Sequence, residues 1–167
     1  MNKTLKLLLF LGIVSAVSGL AIGAVNSVVA PVIEENDIKA EKKNLSAIFP
    51  ESEFEQIEYE NEKILTVYKA EDKGYVVKAT TIGFNASEPI IILVGFDTEG
   101  NTVAVKPLRQ QETDGFGSKC FEKANIESLY VGRDLDTEVD LLAGATFTSN
   151  AMREMITEAQ NVIREIK

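Results

Sequence analysis

The chain has 167 residues, enough for one domain and a membrane anchor, and it carries 26 Asp and Glu against 17 Lys and Arg for a formal net charge of −9. An acidic domain repels the phosphates of nucleic acids, so this balance argues against nucleic-acid binding. The absence of His excludes a catalytic triad built on that residue, and the single Cys has no partner for an internal disulfide. No residue cluster has the spacing of zinc ligands, so we predict no metal site.

The chain begins with a long apolar segment. Residues 7–33 contain no charged side chain, and this length exceeds the ~20 residues that a helix needs to cross the hydrocarbon core of a membrane. A cleaved signal peptide is the alternative, but its apolar core spans only ~7–15 residues before a small-x-small cleavage site. Because this run is longer and has no clear early cleavage site, the pattern favours a retained transmembrane helix.

The charges on either side of the apolar segment predict its orientation. Lys3 and Lys6 precede it, whereas Glu34 and Glu35 follow it. Cytoplasmic flanks are enriched in basic residues, so we expect residues 1–6 in the cytoplasm and the rest of the chain on the extracytoplasmic side of the cell membrane.

The segment after the membrane is predicted to be a stalk followed by a domain of class α+β. Residues 34–50 are typical of a charged helix that ends at Pro50, and the acidic residues 51–62 are interpreted as solvated surface. Within the domain, 51–167, short turns separate four runs of strand-forming residues. These runs are 63–69, 75–82, 90–96 and 102–106. Consecutive strands of this kind predict an antiparallel sheet covered by helices, and the continuous apolar third strand predicts burial on both faces.

A glycine-rich loop and further helices follow the strands. The loop, 109–119, has two glycines around a phenylalanine, which would let the backbone approach a flat ligand, but by itself the pattern favours an ordinary surface loop. A short helix through Asn125, a short strand at 130–131 and an acidic loop at 134–138 are predicted next. Apolar residues then recur at helical spacing from 151 to 166, with Thr148 or Ser149 as the N-cap.

Two segments resemble the motifs of bacterial FMN-binding domains. Asp140-x-x-Ala-Gly-Ala-Thr146 resembles the flavinylation motif, usually Asp-x-x-Ser/Thr-Gly-Ala-Thr. Gln-Glu-Thr-Asp-Gly-Phe-Gly-Ser-Lys at 111–119 resembles the family's Lys/Gln-Glu-Thr-Pro-Gly-Leu-Gly-x-Lys. Over nearly the whole chain the architecture resembles the G subunits of Rnf ion-translocating ferredoxin:NAD oxidoreductases, to which the C subunits of the Na⁺-translocating NADH:quinone reductases are related. The departures from the motifs are Ala143, Asp114 and Phe116 in place of Ser/Thr, Pro and Leu.

The resemblance implies a covalently bound cofactor. In this family a separate flavin transferase joins the phosphate of FMN to the threonine oxygen as a phosphodiester, which makes Thr146 the acceptor. Asp140, with Gly144 and Ala145, is expected to mark the site for the transferase. The phosphate would lie near the N-terminus of the last helix, where free amides favour anions. The residues expected around the cofactor are Glu112, Thr113, Gly115, Phe116, Gly117, Gly144, Ala145, Phe147, Thr148 and Ser149.

The function implied by the resemblance is electron transfer. The protein would relay electrons between the other membrane subunits of an Rnf-type complex and would have no catalytic residues of its own. A stand-alone, membrane-anchored flavoprotein that passes electrons to an extracytoplasmic reductase is the alternative. A surface domain that binds peptide or lipid through its sheet is a third, non-redox hypothesis. Cys120 follows the glycine-rich loop, and buried packing is favoured for it over a place beside a redox centre.

Overall fold

The computed structural model describes residues 2–59, 61–133 and 139–167, and the predicted acidic loop at 134–138 lies outside them. The chain divides into two compact units, Met1–Ala40 and Glu41–Lys167. Helix α1 (Lys3–Ile48) forms the first unit and continues into the second. Its best 18-residue window has a mean hydropathy of 2.3 and is not buried, so the helix is long and apolar enough to cross a membrane. Its retention as an anchor stays a prediction, because a signal sequence meets the same criterion.

The second unit is built on a five-stranded antiparallel sheet whose strands neighbour one another in chain order. The strands are β1 (Phe54–Ile57), β2 (Ile64–Ala70), β3 (Gly74–Thr81), β4 (Ile90–Asp97) and β5 (Thr102–Arg109). The helices are α2 (Lys123–Leu129), preceded by a 3₁₀ turn (Gly117–Phe121), and α3 (Thr146–Ile166). The predicted α+β class and the four predicted strands are therefore confirmed.

One local prediction was wrong, and one strand was not predicted. Residues 54–57 form the edge strand β1, which pairs with β2 from Phe54 opposite Ala70, while the described residues of the acidic segment 51–62 are exposed or half-buried, as predicted for solvated surface. The predicted strand at 130–131 is a turn instead. The backbone N–H of Tyr130 donates to the carbonyl of Ile126, which closes the last turn of α2 and sends the tyrosine ring into the core.

Helices cover both faces of the sheet. On one face, Ile92, Val94 and Phe96 of β4 join a core with the buried side of α3. On the other face, Leu93 packs with Leu45 from the end of α1. Strand β4 is therefore buried on both sides, as its continuous apolar sequence predicts. The last turn of the predicted stalk belongs to the core of the domain.

Replacing Leu45 tests this second core. Leu45 is 5% exposed, and truncating a buried leucine to alanine costs ~2–5 kcal/mol through lost burial and the cavity it leaves. We expect Leu45→Ala to lower the free energy of unfolding of the domain by that amount in urea titrations of the full-length protein in detergent. Ile38→Ala, at a residue 48% exposed on the same helix, is the matched control and should have little effect. Equal midpoints for Leu45→Ala and the wild type would contradict the packing described.

A half-buried tyrosine, Tyr68, and a buried one, Tyr130, predict a loss of stability at alkaline pH. Burial, with a hydrogen bond from the hydroxyl to Glu41, raises the pKa of Tyr68 to about 12, and burial raises the pKa of Tyr130 to about 12. An unfolded tyrosine ionises near pH ~10. Their contribution to stability is therefore complete below about pH 10 and is lost as the pH rises towards about 12. The urea midpoint should fall less between about pH 8 and about pH 11 in Tyr68→Phe than in the wild type. An equal fall in both proteins would contradict the raised pKa of Tyr68.

Candidate functional site

A pocket of about 500 Å³ opens at one end of the sheet, where three segments of the domain meet. These segments are the loop after β3, the glycine-rich loop after β5, and the turn that leads into α3. The residues that line the pocket are Phe84, Thr113, Phe116, Gly117, Gly144, Ala145, Thr146, Phe147 and Thr148. This volume lies in the range of small-molecule and cofactor sites, ~300–1,000 Å³.

The rim of the pocket carries exposed phenylalanines. Phe84, Phe116 and Phe147 are 64%, 62% and 72% exposed, and the rings of Phe84 and Phe147 lie with centroids 6.1 Å apart. Burying apolar rings stabilises a protein, so three exposed phenyl groups around one opening indicate a surface that is covered by something else. A flat, aromatic ligand fits such a surface.

The wall that contains Thr146 is formed by a tight turn and the start of α3. The N–H of Ala145 donates to the carbonyl of Leu142 (3.1 Å), and Gly144 has a φ of 81°, the left-handed value of the third residue of a type II turn. The turn leaves Thr146 as the exposed first residue of α3. The first N–H groups of a helix have no partner within it, and the helix dipole favours an anion there.

The prediction that Thr148 or Ser149 caps α3 was wrong. The helix begins at Thr146, and the preceding Ala145 makes no side-chain cap. Both predicted caps are buried at 1% exposure and are engaged elsewhere. The hydroxyl of Thr148 donates to Oε2 of Glu112 (2.5 Å), and Oγ of Ser149 accepts from the N–H of Leu142 (3.1 Å). Thr146 is thus the exposed hydroxyl-bearing residue in this turn of the helix.

Cys120 lies behind this wall. Its sulfur is 3.4 Å from Oγ of Ser149, and the residue is 3% exposed. Burial raises the pKa of the thiol, which keeps it protonated and unreactive. The predicted buried packing of Cys120 is confirmed.

The opposite wall is a second turn. The N–H of Phe116 donates to the carbonyl of Thr113 (3.2 Å), and Gly115 between them has a φ of 75°. This is again the pattern of a type II turn, in which proline is favoured at the second position. Asp114 occupies that position here, so the turn keeps its required glycine and lacks the rigidity that a proline would supply.

Glu112 is a buried carboxylate just outside the pocket lining. It is 6% exposed. Its Oε1 accepts from the N–H of Asn85 (3.1 Å), and its Oε2 accepts from the N–H of Phe84 (3.3 Å) and from the hydroxyl of Thr148. These donors replace the hydrogen bonds to water that the carboxylate loses on burial.

The structure brings most of the predicted cofactor residues together. Eight of them line the pocket: Thr113, Phe116, Gly117, Gly144, Ala145, Thr146, Phe147 and Thr148. Glu112 and Ser149 lie behind the walls, and Gly115 shapes the loop without lining the pocket. Asp140 is exposed and also lies outside the lining.

Sequence reasoning missed Phe84 and its neighbour Asn85. They belong to neither motif, and the sequence at 83–85 is typical of an ordinary connection between β3 and β4. The one available signal was an exposed aromatic residue in a polar loop, which gains meaning only when the fold places it opposite Phe147.

Comparisons with known proteins found two similarities. Residues 85–161 match the sequence profile of the FMN-binding domain family. The chain is also 25% identical to the G subunit of the Na⁺-translocating ferredoxin:NAD⁺ oxidoreductase complex of Acetobacterium woodii, in an alignment that covers 96% of this chain and 92% of that protein. The profile match includes both pocket motifs, at 111–119 and 140–146. The chain therefore contains an FMN-binding domain and is a distant homologue of that Rnf-complex protein.

Proposed function

We propose that the protein is an electron-transfer subunit of an Rnf-type ion-translocating oxidoreductase and that it carries FMN linked covalently to Thr146. The observation that carries the proposal is the exposed hydroxyl of Thr146, which lies in the wall of a pocket of about 500 Å³ at the start of α3. The FMN-binding domain and the distant relationship to the Acetobacterium woodii protein support it.

The residues of the pocket fit the two parts of FMN. A phosphodiester on the oxygen of Thr146 retains one negative charge, which the free amides and the dipole of α3 stabilise. As the bond between Oγ1 of Thr146 and phosphorus forms, the hydroxyl loses its proton and a P–O bond of the donor breaks. We therefore expect the transferase to use FMN activated as a phosphoanhydride, whose second phosphate-bearing part departs as the leaving group. The isoalloxazine ring, an apolar and flat group, fits against the phenyl rings of Phe84, Phe116 and Phe147.

The side chains of the pocket favour electron transfer over catalysis. Bound FMN supplies the redox chemistry, and the protein supplies binding, orientation and polarity. Among the residues that line the pocket in the described part of the chain, none is charged. The site thus offers no side chain for general acid–base catalysis, and its open mouth leaves the ring accessible to redox partners.

The remaining parts of the proposal concern location and partners. A retained α1 would anchor the protein by a single span with its N-terminus in the cytoplasm and its domain outside. On the extracytoplasmic side, the covalent bond to Thr146 would prevent loss of the cofactor from the cell. The partners are the other membrane subunits and a flavin transferase, for which the exposed Asp140, six residues before Thr146, is the proposed recognition element. A stand-alone flavoprotein feeding an extracytoplasmic reductase is the second candidate, because it needs the same pocket and anchor.

The covalent site is tested by replacing the hydroxyls of α3. Full-length protein made together with a flavin transferase should fluoresce in a denaturing gel and gain the mass of one FMN less one water. Thr146→Ala should abolish both signals, since it removes the acceptor oxygen. Thr146→Ser keeps a hydroxyl and is the matched control. Thr148→Ala should retain the flavin, because that hydroxyl is buried against Glu112. Fluorescence that persists in Thr146→Ala and disappears in Thr148→Ala would assign the site to Thr148.

Purification of the native protein distinguishes the complex from the stand-alone flavoprotein. We expect a tagged copy, extracted from its own membranes in mild detergent, to bring down several multi-span subunits in fixed proportion. Recovery of the fluorescent protein alone would instead support the stand-alone flavoprotein. Recovery of native protein without any flavin would overturn both redox functions.

A further inference from the structure

We propose that Glu112 is the positioning residue of the FMN pocket: its buried carboxylate fastens together the three segments that carry the pocket walls. The inference rests on the function proposed above. No atom of Glu112 lines the pocket, so it acts on the cofactor only through the residues that it holds.

One carboxylate reaches all three walls. The N–H groups of Phe84 and Asn85 donate to it from the loop after β3. The hydroxyl of Thr148 donates to it from the first turn of α3, two residues after the proposed acceptor. Glu112 itself directly precedes Thr113, the first lining residue of the glycine-rich loop. The apolar rim is formed by Phe84, Phe116 and Phe147. The three segments that contain these rings are therefore connected through the side chain of Glu112.

Two glycines keep the space that the carboxylate occupies. A Cβ on Gly83 would lie 2.5 Å from Oε1 of Glu112. A Cβ on Gly117 would lie 2.6 Å from Oε2 of Glu112 and 2.7 Å from Oγ1 of Thr148. Any larger residue at either position would push the carboxylate out of its bonds, so the loops on both sides are shaped around it.

The chemistry of the contacts suits a carboxylate of this length. An ionised carboxylate only accepts hydrogen bonds, and all three of its partners are donors. Bonds to a charged acceptor are roughly twice as strong as neutral ones, which favours a pre-formed pocket over three loosely connected loops. Glutamine at 112 keeps the length but turns an N–H₂ group towards a donor. Aspartate keeps the charge but is one methylene too short to reach all three partners.

The test compares Glu112→Asp and Glu112→Gln in full-length protein in detergent, with and without flavin attached by the transferase. In the flavin-free chain, the amides of Phe84 and Asn85 should exchange hydrogen roughly tenfold faster or more in Glu112→Asp, because each loses a bond to a charged acceptor. In the loaded protein, flavin should remain attached to Thr146, while its fluorescence anisotropy should decay faster from motion of the ring. Glu112→Gln should show smaller changes of the same kind, since it retains the reach of the side chain.

Val105→Ala is the control for general destabilisation, because Val105 is a core residue of β5 outside the pocket. It should lower the unfolding midpoint and leave the anisotropy decay unchanged. The inference is overturned if Glu112→Asp leaves the ring as immobile as in the wild type, or if Val105→Ala mobilises it equally. If the wild-type protein acquires no flavin when the transferase is present, the proposed function is refuted instead. The amide exchange of the flavin-free chain would then still show whether Glu112 holds the loops together.

Discussion

The packing of α3 against the sheet fixes the geometry on which the candidate site depends. Met152, Met155, Ala159 and Ile163 of α3 are fully buried in the core that this helix forms with the sheet. Because this contact extends along most of the helix, the position of its first residue is set by the core. The pocket therefore has a rigid wall, with Thr146 at its start, and two walls made of loops.

The loops are held by polar contacts, since they bury few apolar side chains of their own. The carboxylate of Glu112 accepts hydrogen bonds from several of these segments and so replaces the missing apolar contacts. It lies outside the pocket lining. This arrangement leaves an apolar, uncharged lining next to a helix N-terminus. The aromatic ring of the proposed cofactor requires the apolar lining, and its anionic phosphate requires the helix N-terminus beside it. The hydrogen bonds of Glu112 thus support both environments without entering the pocket.

The sequence predicted the elements whose signals are local. Strands β2 to β5 have continuous strand-forming runs between turn residues, and α3 has a clear apolar face. Strand β1 was missed because its acidic sequence has no strand pattern, and its pairing with β2 depends on a partner elsewhere in the chain. The N-cap of α3 was placed three or four residues late, at Thr148 or Ser149 instead of Ala145, for a similar reason. Thr148 and Ser149 are good caps in isolation, but Glu112 and the amide of Leu142 compete for their side chains. Phe84 carried only the weak signal of an aromatic residue in a polar loop, because its position opposite Phe147 exists only after folding.

The two departures from the family motifs in the turns occupy equivalent positions. Ala143 and Asp114 each stand at the second residue of a turn whose third residue is a glycine with positive φ, Gly144 or Gly115. Both departing side chains are exposed, and neither lines the pocket. The backbone requirement of each turn is thus preserved, while the side chain that departs from the motif lies outside the pocket lining. A hydroxyl at 143 would therefore matter to a protein that approaches from outside, such as the transferase, and the geometry around Thr146 does not depend on it.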